Sequence, residues 1–79
     1  MSKTKYYFFD TADRLEELII ENGTKYRDLE KLTGYKRNAI MAWKYGYSVP
    51  NARVIKLLAE YFNVSADYLV GLTNKRSSK

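Results

Sequence analysis

Seventy-nine residues without a cysteine make one small domain that must hold itself together by packing alone, with neither a disulfide nor a thiolate metal site. Histidine is absent too, which removes His-based acid/base catalysis, Ser-His triads and His-ligated metals, so the chain reads as a non-enzyme with no catalytic residues, no metal and no cofactor. Of the net charge of +5, most lies between Thr24 and Tyr47, where six cations meet two anions, while the remaining residues carry eight against seven. That is the distribution of a surface that meets phosphate, although a solvated helical face would carry the same bias.

In chain order, residues 1–9 form a basic and aromatic N-terminal extension, with Met1 to Lys5 loose and Phe8 or Phe9 packed on a helical core. Tyr6-Tyr7-Phe8-Phe9 is too short for a signal peptide and far too short to cross a bilayer, so the expectation is a cytoplasmic protein with no membrane partner. Asp10 reads as the cap of a first helix over about 11–21, with Asp13 in the capping-box position and Ala12, Leu15, Leu18 and Ile19 forming one apolar stripe. Asn22-Gly23 ends it.

A second helix over about 25–32 buries Leu29, with Tyr26 and Leu32 beside it, and Gly34 makes a turn into a third helix over about 37–45. Ile40 and Trp43 face inward from that third helix, and Gly46 stops it. After the loop Tyr47-Ser48-Val49-Pro50, Asn51 caps a fourth helix whose Val54, Ile55, Leu58, Ala59 and Phe62 are spaced for burial. Ser65 caps a last short helix over about 66–70, with Tyr68 and Leu69 inward and Gly71 as its stop. Residues 73–79 read as a basic flexible tail, too poor in apolar groups to order itself, leaving 10–72 as the folded domain.

The ordered set of these signals resembles the lambda-repressor-like helix-turn-helix domain, the phage Cro and CI type or XRE family, over about residues 14–72. The matches are Gly23, Leu29 and Gly34 with Ile40 six residues on, Trp43 followed by Gly46, and Pro50. Further on come Leu57-Leu58-Ala59 and Phe62-Asn63-Val64-Ser65. Finally, Ser65-Ala66-Asp67-Tyr68-Leu69-Val70-Gly71 resembles the family's closing Ser-x-Asp-Tyr-Leu-Leu-Gly. The resemblance implies an all-α, five-helix DNA-binding domain with its helix-turn-helix at helices 2 and 3. Lys25 and Lys36 depart from the family's serine caps, and neither can accept a hydrogen bond from a helix N-terminus; Thr24 is the candidate to compensate at helix 2. Glu30 replaces a small residue. Tyr26 replaces the family's glutamine, which passes that side chain's phosphate contact to the Tyr26 hydroxyl.

With helix 3 in the major groove, Lys36, Arg37, Asn38, Met41 and Ala42 are the candidate base readers. Arg37 can bridge guanine O6 and N7, Asn38 can bridge adenine N6 and N7, and Met41 or Ala42 can touch a thymine methyl. Lys25, Tyr26, Arg27, Lys44, Tyr45 and Tyr47 are the candidate phosphate contacts, which position the helix without reading sequence. The implied function is sequence-specific, double-stranded DNA-binding transcription regulation by a nucleoid-associated repressor of phage or bacterial origin. Its implied form is a homodimer on a near-palindromic operator, with self-contact around Tyr68, Val70 and Leu72 unless those residues serve the core. The competing reading is a protein-interaction module on the same fold, antitoxin-like or an adaptor, whose partner is a protein or antirepressor and whose only candidate apolar patch is Tyr6 to Phe9. Asp10 with Asp13, and Glu16 with Glu17, read as capping and surface charge, not as paired acid and base groups.

Overall fold

The computed structural model describes the backbone of residues 6–77 and the side chains of residues 10–77. The expectations for Met1 to Lys5, and for the Phe8 and Phe9 side chains, lie outside those residues. Five α-helices follow in order: α1 Tyr6–Asn22, α2 Tyr26–Thr33, α3 Arg37–Tyr45, α4 Ala52–Phe62 and α5 Ala66–Leu69, with no strand among the described residues. Their apolar stripes converge on one core of Leu15, Leu18, Leu29, Ile40, Trp43, Val54, Ile55, Leu58, Ala59, Phe62, Tyr68 and Leu69. Within it α1 packs on α3 and α5, and α4 packs on α2 and α5. The chain is therefore all-α, as its pattern implies.

The first helix departs from expectation. It begins at Tyr6, so Asp10 sits inside α1 and does not cap it. Neither glycine nor proline separates Tyr6 from Asp10, so nothing stops the helix from propagating upstream, and a capping preference of about 1 kcal/mol does not force a start. Asp10 instead lies against the turn after α5, where a Cβ at Gly71 would fall 2.7 Å from its Oδ2 and 2.9 Å from its Cβ. The later caps form as their residues imply: Asn51 Oδ1 accepts from the Val54 amide at 2.9 Å, and Ser65 Oγ accepts from the Tyr68 amide at 3.0 Å.

The segment after α5, which its composition alone suggests is frayed, is tied back to α1 by polar contacts that an apolar count does not register. Arg14 Nη1 donates to the carbonyls of Tyr68 and Thr73, each at 2.6 Å, and Nη2 donates to Asn74 Oδ1 at 2.9 Å. Arg76 meets Glu21 with two parallel hydrogen bonds of 2.8 and 2.7 Å. This pairing holds the Glu21 carboxyl below its usual range. The Arg14 and Arg76 guanidinium carbons lie 4.4 and 5.5 Å from the Tyr68 ring centroid. Tyr68 itself is core, as is Leu69; Val70 is half-buried, and Leu72 is 76% exposed.

Gly71 combines a φ of +89° with the Asp10 contact, whereas Gly34, at +81°, has nothing within 4 Å of a built Cβ. Denaturant titration is expected to show Gly34→Ala losing about 1–2 kcal/mol from left-handed strain alone. Gly71→Ala is expected to lose distinctly more, because Asp10 Cβ is fixed by the α1 backbone. Equal losses would mean that the segment beyond α5 moves away without cost.

Candidate nucleic-acid interface

The geometry of α2 and α3 is set by the turn between them. Gly34 takes the left-handed conformation at φ 81° and its amide closes on the Glu30 carbonyl at 2.8 Å, which ends α2 and frees the chain to change direction. Thr33 is almost fully buried beside it: its hydroxyl donates to the Leu29 carbonyl at 2.8 Å and accepts from the Tyr35 amide at 3.2 Å, so one oxygen serves both sides of the turn. Arg53 of α4 donates to the Thr33 carbonyl at 2.8 Å. Tyr35 lies edge-on to Trp43, centroids 5.3 Å apart, and its hydroxyl accepts from Asn51 Nδ2 at 3.2 Å. The turn is thus bonded to α4 and packed edge-on against α3.

Ile40 and Trp43 are buried, which fixes the rotation of α3 about its axis. Residues 38, 42 and 45 then share one outward-turned face, while 37, 41 and 44 share the adjoining flank toward α2. Lys36, Arg37, Asn38 and Tyr45 are exposed; Met41, Ala42 and Lys44 are half-buried. Lys36 is the N-cap of α3 with φ −81° and ψ 166°, and no side chain caps that end. At α2 the Lys25 side chain does not cap either, but the Lys25 amide donates to the Asp28 carboxylate at 3.3 Å. Thr24 makes no capping bond there; Asp28 supplies only the reverse half of a capping box, accepting from the N-cap amide.

Tyr26, the first residue of α2, is half-buried against the core and lies alongside α3. The Arg37 guanidinium carbon is 4.6 Å from its ring centroid and Lys44 Nζ is 5.5 Å away. The same ammonium donates to the Tyr26 hydroxyl at 3.3 Å. That hydrogen bond raises the Lys44 pKa from its ordinary value against some desolvation, so the group is cationic throughout the neutral range. Lys44 Nζ also lies 5.6 Å from the Tyr45 ring, and the Tyr45 and Tyr47 rings are 6.4 Å apart. Tyr26, Arg37, Lys44, Tyr45 and Tyr47 consequently form one continuous row along α3 and the loop after it.

Other sequence-identified residues stand apart from this row. Lys25 and Arg27 are exposed at the start of α2, and Lys36 and Asn38 are exposed at the start of α3, and among the described residues no side-chain hydrogen bond, ion pair or ring contact joins them to it. Both ion pairs among the described residues involve Arg76, so no carboxylate pairs with the cations of residues 25–44. Sequence reasoning did not single out Thr33 or Arg53 as supports of the turn. A threonine just before a left-handed glycine was the available signal for the first; nothing in the sequence pointed to the second.

Among the described residues no group of three or more acidic, His or Cys side chains is placed to hold a metal ion, and no helix is long and apolar enough to cross a membrane. In comparison with known proteins, the sequence model of a family described as a helix-turn-helix domain matches residues 12–75. No curated protein and no solved structure matches the chain.

The uncapped start of α3 supplies a test of this geometry. Lys36→Ser places an acceptor at an N-cap whose backbone already has the extended conformation that capping requires. It is expected to stabilise the domain by about 1 kcal/mol, visible as a rise in Tm of about 4–8 °C. An unchanged or lower Tm would contradict the described N-terminus of α3.

Proposed function

Because the chain belongs to the helix-turn-helix domain family, we propose that it regulates transcription by sequence-specific binding to double-stranded DNA, with α3 in the major groove. The observation that carries this reading is the pairing of a buried inner face on α3 with an outer face and flank whose cations make no ion pair with a carboxylate among the described residues. Unpaired cations on a rigid convex element leave their charge available for phosphate and for base edges.

On this reading Arg37 and Asn38, in the first turn of α3, reach base edges together with Lys36, and Met41 and Ala42 offer apolar contact to a thymine methyl. Lys25, Arg27, Lys44, Tyr45 and Tyr47 flank them as contacts to the sugar-phosphate backbone. The regulator acts as a repressor in a bacterium or phage, as a homodimer, because one nine-residue helix spans too few base pairs for a unique site. The strongly exposed Leu72, at 76%, and Ile20, at 70%, are apolar side chains available to such self-association.

The test separates the two kinds of contact on a panel of single-base variants of the best duplex. Arg37→Ala is expected to erase preference at one base position, at about 1–3 kcal/mol. Lys44→Ala is expected to weaken all variants alike and to reduce the salt slope by about one. Uniform loss in both proteins would overturn the placement of α3.

A further inference from the structure

Two tyrosines in this fold each hold two cations, and the comparison between them is informative. At Tyr68 the cations are Arg14 and Arg76, and both guanidinium groups spend their donors on protein acceptors: Arg14 on two carbonyls and Asn74, Arg76 on Glu21. At Tyr26 the cations are Arg37 and Lys44. Lys44 spends one donor on the tyrosine hydroxyl, and Arg37 spends none, since no protein hydrogen bond or ion pair among the described residues engages its guanidinium. The Arg37 guanidinium carbon lies over the Tyr26 ring, 4.6 Å from its centroid, with its N–H groups left for an outside acceptor, and a guanidinium fork matches the O6 and N7 edge of guanine.

We propose that Tyr26 is a positioning residue for DNA reading: its ring holds the Arg37 side chain in a preformed orientation along the flank of α3, and its hydroxyl fixes Lys44 at the other end of the same ring. This rests on the reading of α3 as the recognition element. It also revises the role of Tyr26, whose side chain is committed to two cations of α3 and acts on DNA through them. An arginine with free rotamers loses conformational entropy when it binds; one already laid on an aromatic face loses less, and the saving appears only at the base that Arg37 contacts. The arrangement is carried by two helices, with Tyr26 at the first position of α2 and Arg37 at the first position of α3, so the inter-helix angle set at Gly34 determines where the guanidinium sits.

The experiment compares Tyr26→Leu, Tyr26→Phe and Arg37→Ala, alone and with Tyr26→Leu combined with Arg37→Ala, on the same panel of single-base duplex variants, after circular dichroism and thermal melts confirm that each variant is folded. Tyr26→Leu removes the ring; Tyr26→Phe keeps the ring and removes the hydroxyl. The expected result is that Tyr26→Leu lowers discrimination 3- to 10-fold, as a rough range, at the one base position that Arg37→Ala affects and leaves the other positions unchanged. Tyr26→Phe retains that discrimination, and adding Tyr26→Leu to Arg37→Ala changes it no further. If Tyr26→Leu weakens all variants equally with discrimination intact, the positioning role is overturned and Tyr26 is a backbone contact or a packing residue. If Arg37→Ala itself leaves the base profile unchanged, the base-reading assignment fails and this proposal fails with it.

Discussion

The fold and its surface both depend on the packing of a nine-residue helix. An isolated helix of the length of α3 is unstable in water, because the nucleation cost is recovered over too few hydrogen bonds. It persists here because Ile40 and Trp43 are buried with Leu15, Leu18 and Leu29 in the common core. That burial fixes both the existence of the helix and its rotation, so the residues that face outward are determined by the residues that face in. The turn at Thr33 and Gly34 contributes the second constraint, the angle at which α3 leaves α2. Its strength comes from several small bonds: the Thr33 hydroxyl, the Gly34 amide, the Arg53 guanidinium and the edge contact between Tyr35 and Trp43.

Around that rigid centre the charges fall into two groups with different fates. Arg14 of α1 and Arg76 near the C-terminus are consumed within the protein, joining the segment after α5 to α1. Among the described residues the cations of α2 and α3 make no ion pair with a carboxylate, and Arg37 and Lys44 lie against aromatic rings. A folded domain gains little from leaving charges of one sign together, so a concentration of unpaired cations on one face is a property of a surface suited to a polyanion. The absence of side-chain caps at Lys25 and Lys36 has the same character: positions where serine or asparagine would stabilise a helix carry charge instead.

Much of the fold was legible in the sequence because the informative signals are local. Helical spacing located the buried residues of α4 without error, Asn51 and Ser65 announced their caps, and Gly34 and Gly71 marked turns that require a positive φ. Besides the Arg53 support of the turn, three features were not legible. The extension of α1 upstream of Asp10 escaped because a capping residue in mid-helix looks the same as one at an end. The anchoring of residues 73–77 escaped because it depends on Arg14, Arg76 and Glu21 meeting across more than fifty residues of sequence. The row from Arg37 through Tyr26 to Lys44 escaped because it depends on the angle between two helices, which no spacing rule encodes. Residue types at the interface could be named from the sequence, but their mutual contacts could not.

The central claim, that the outer face of α3 reads the sequence of a duplex, is tested most directly by selection of binders from a random double-stranded DNA library with the purified protein. The expected result is an enriched motif with two-fold symmetry and half-sites about 34 Å apart, about one turn of B-form DNA. Recovery of duplexes with no shared motif, or of none above background at low salt, would contradict it.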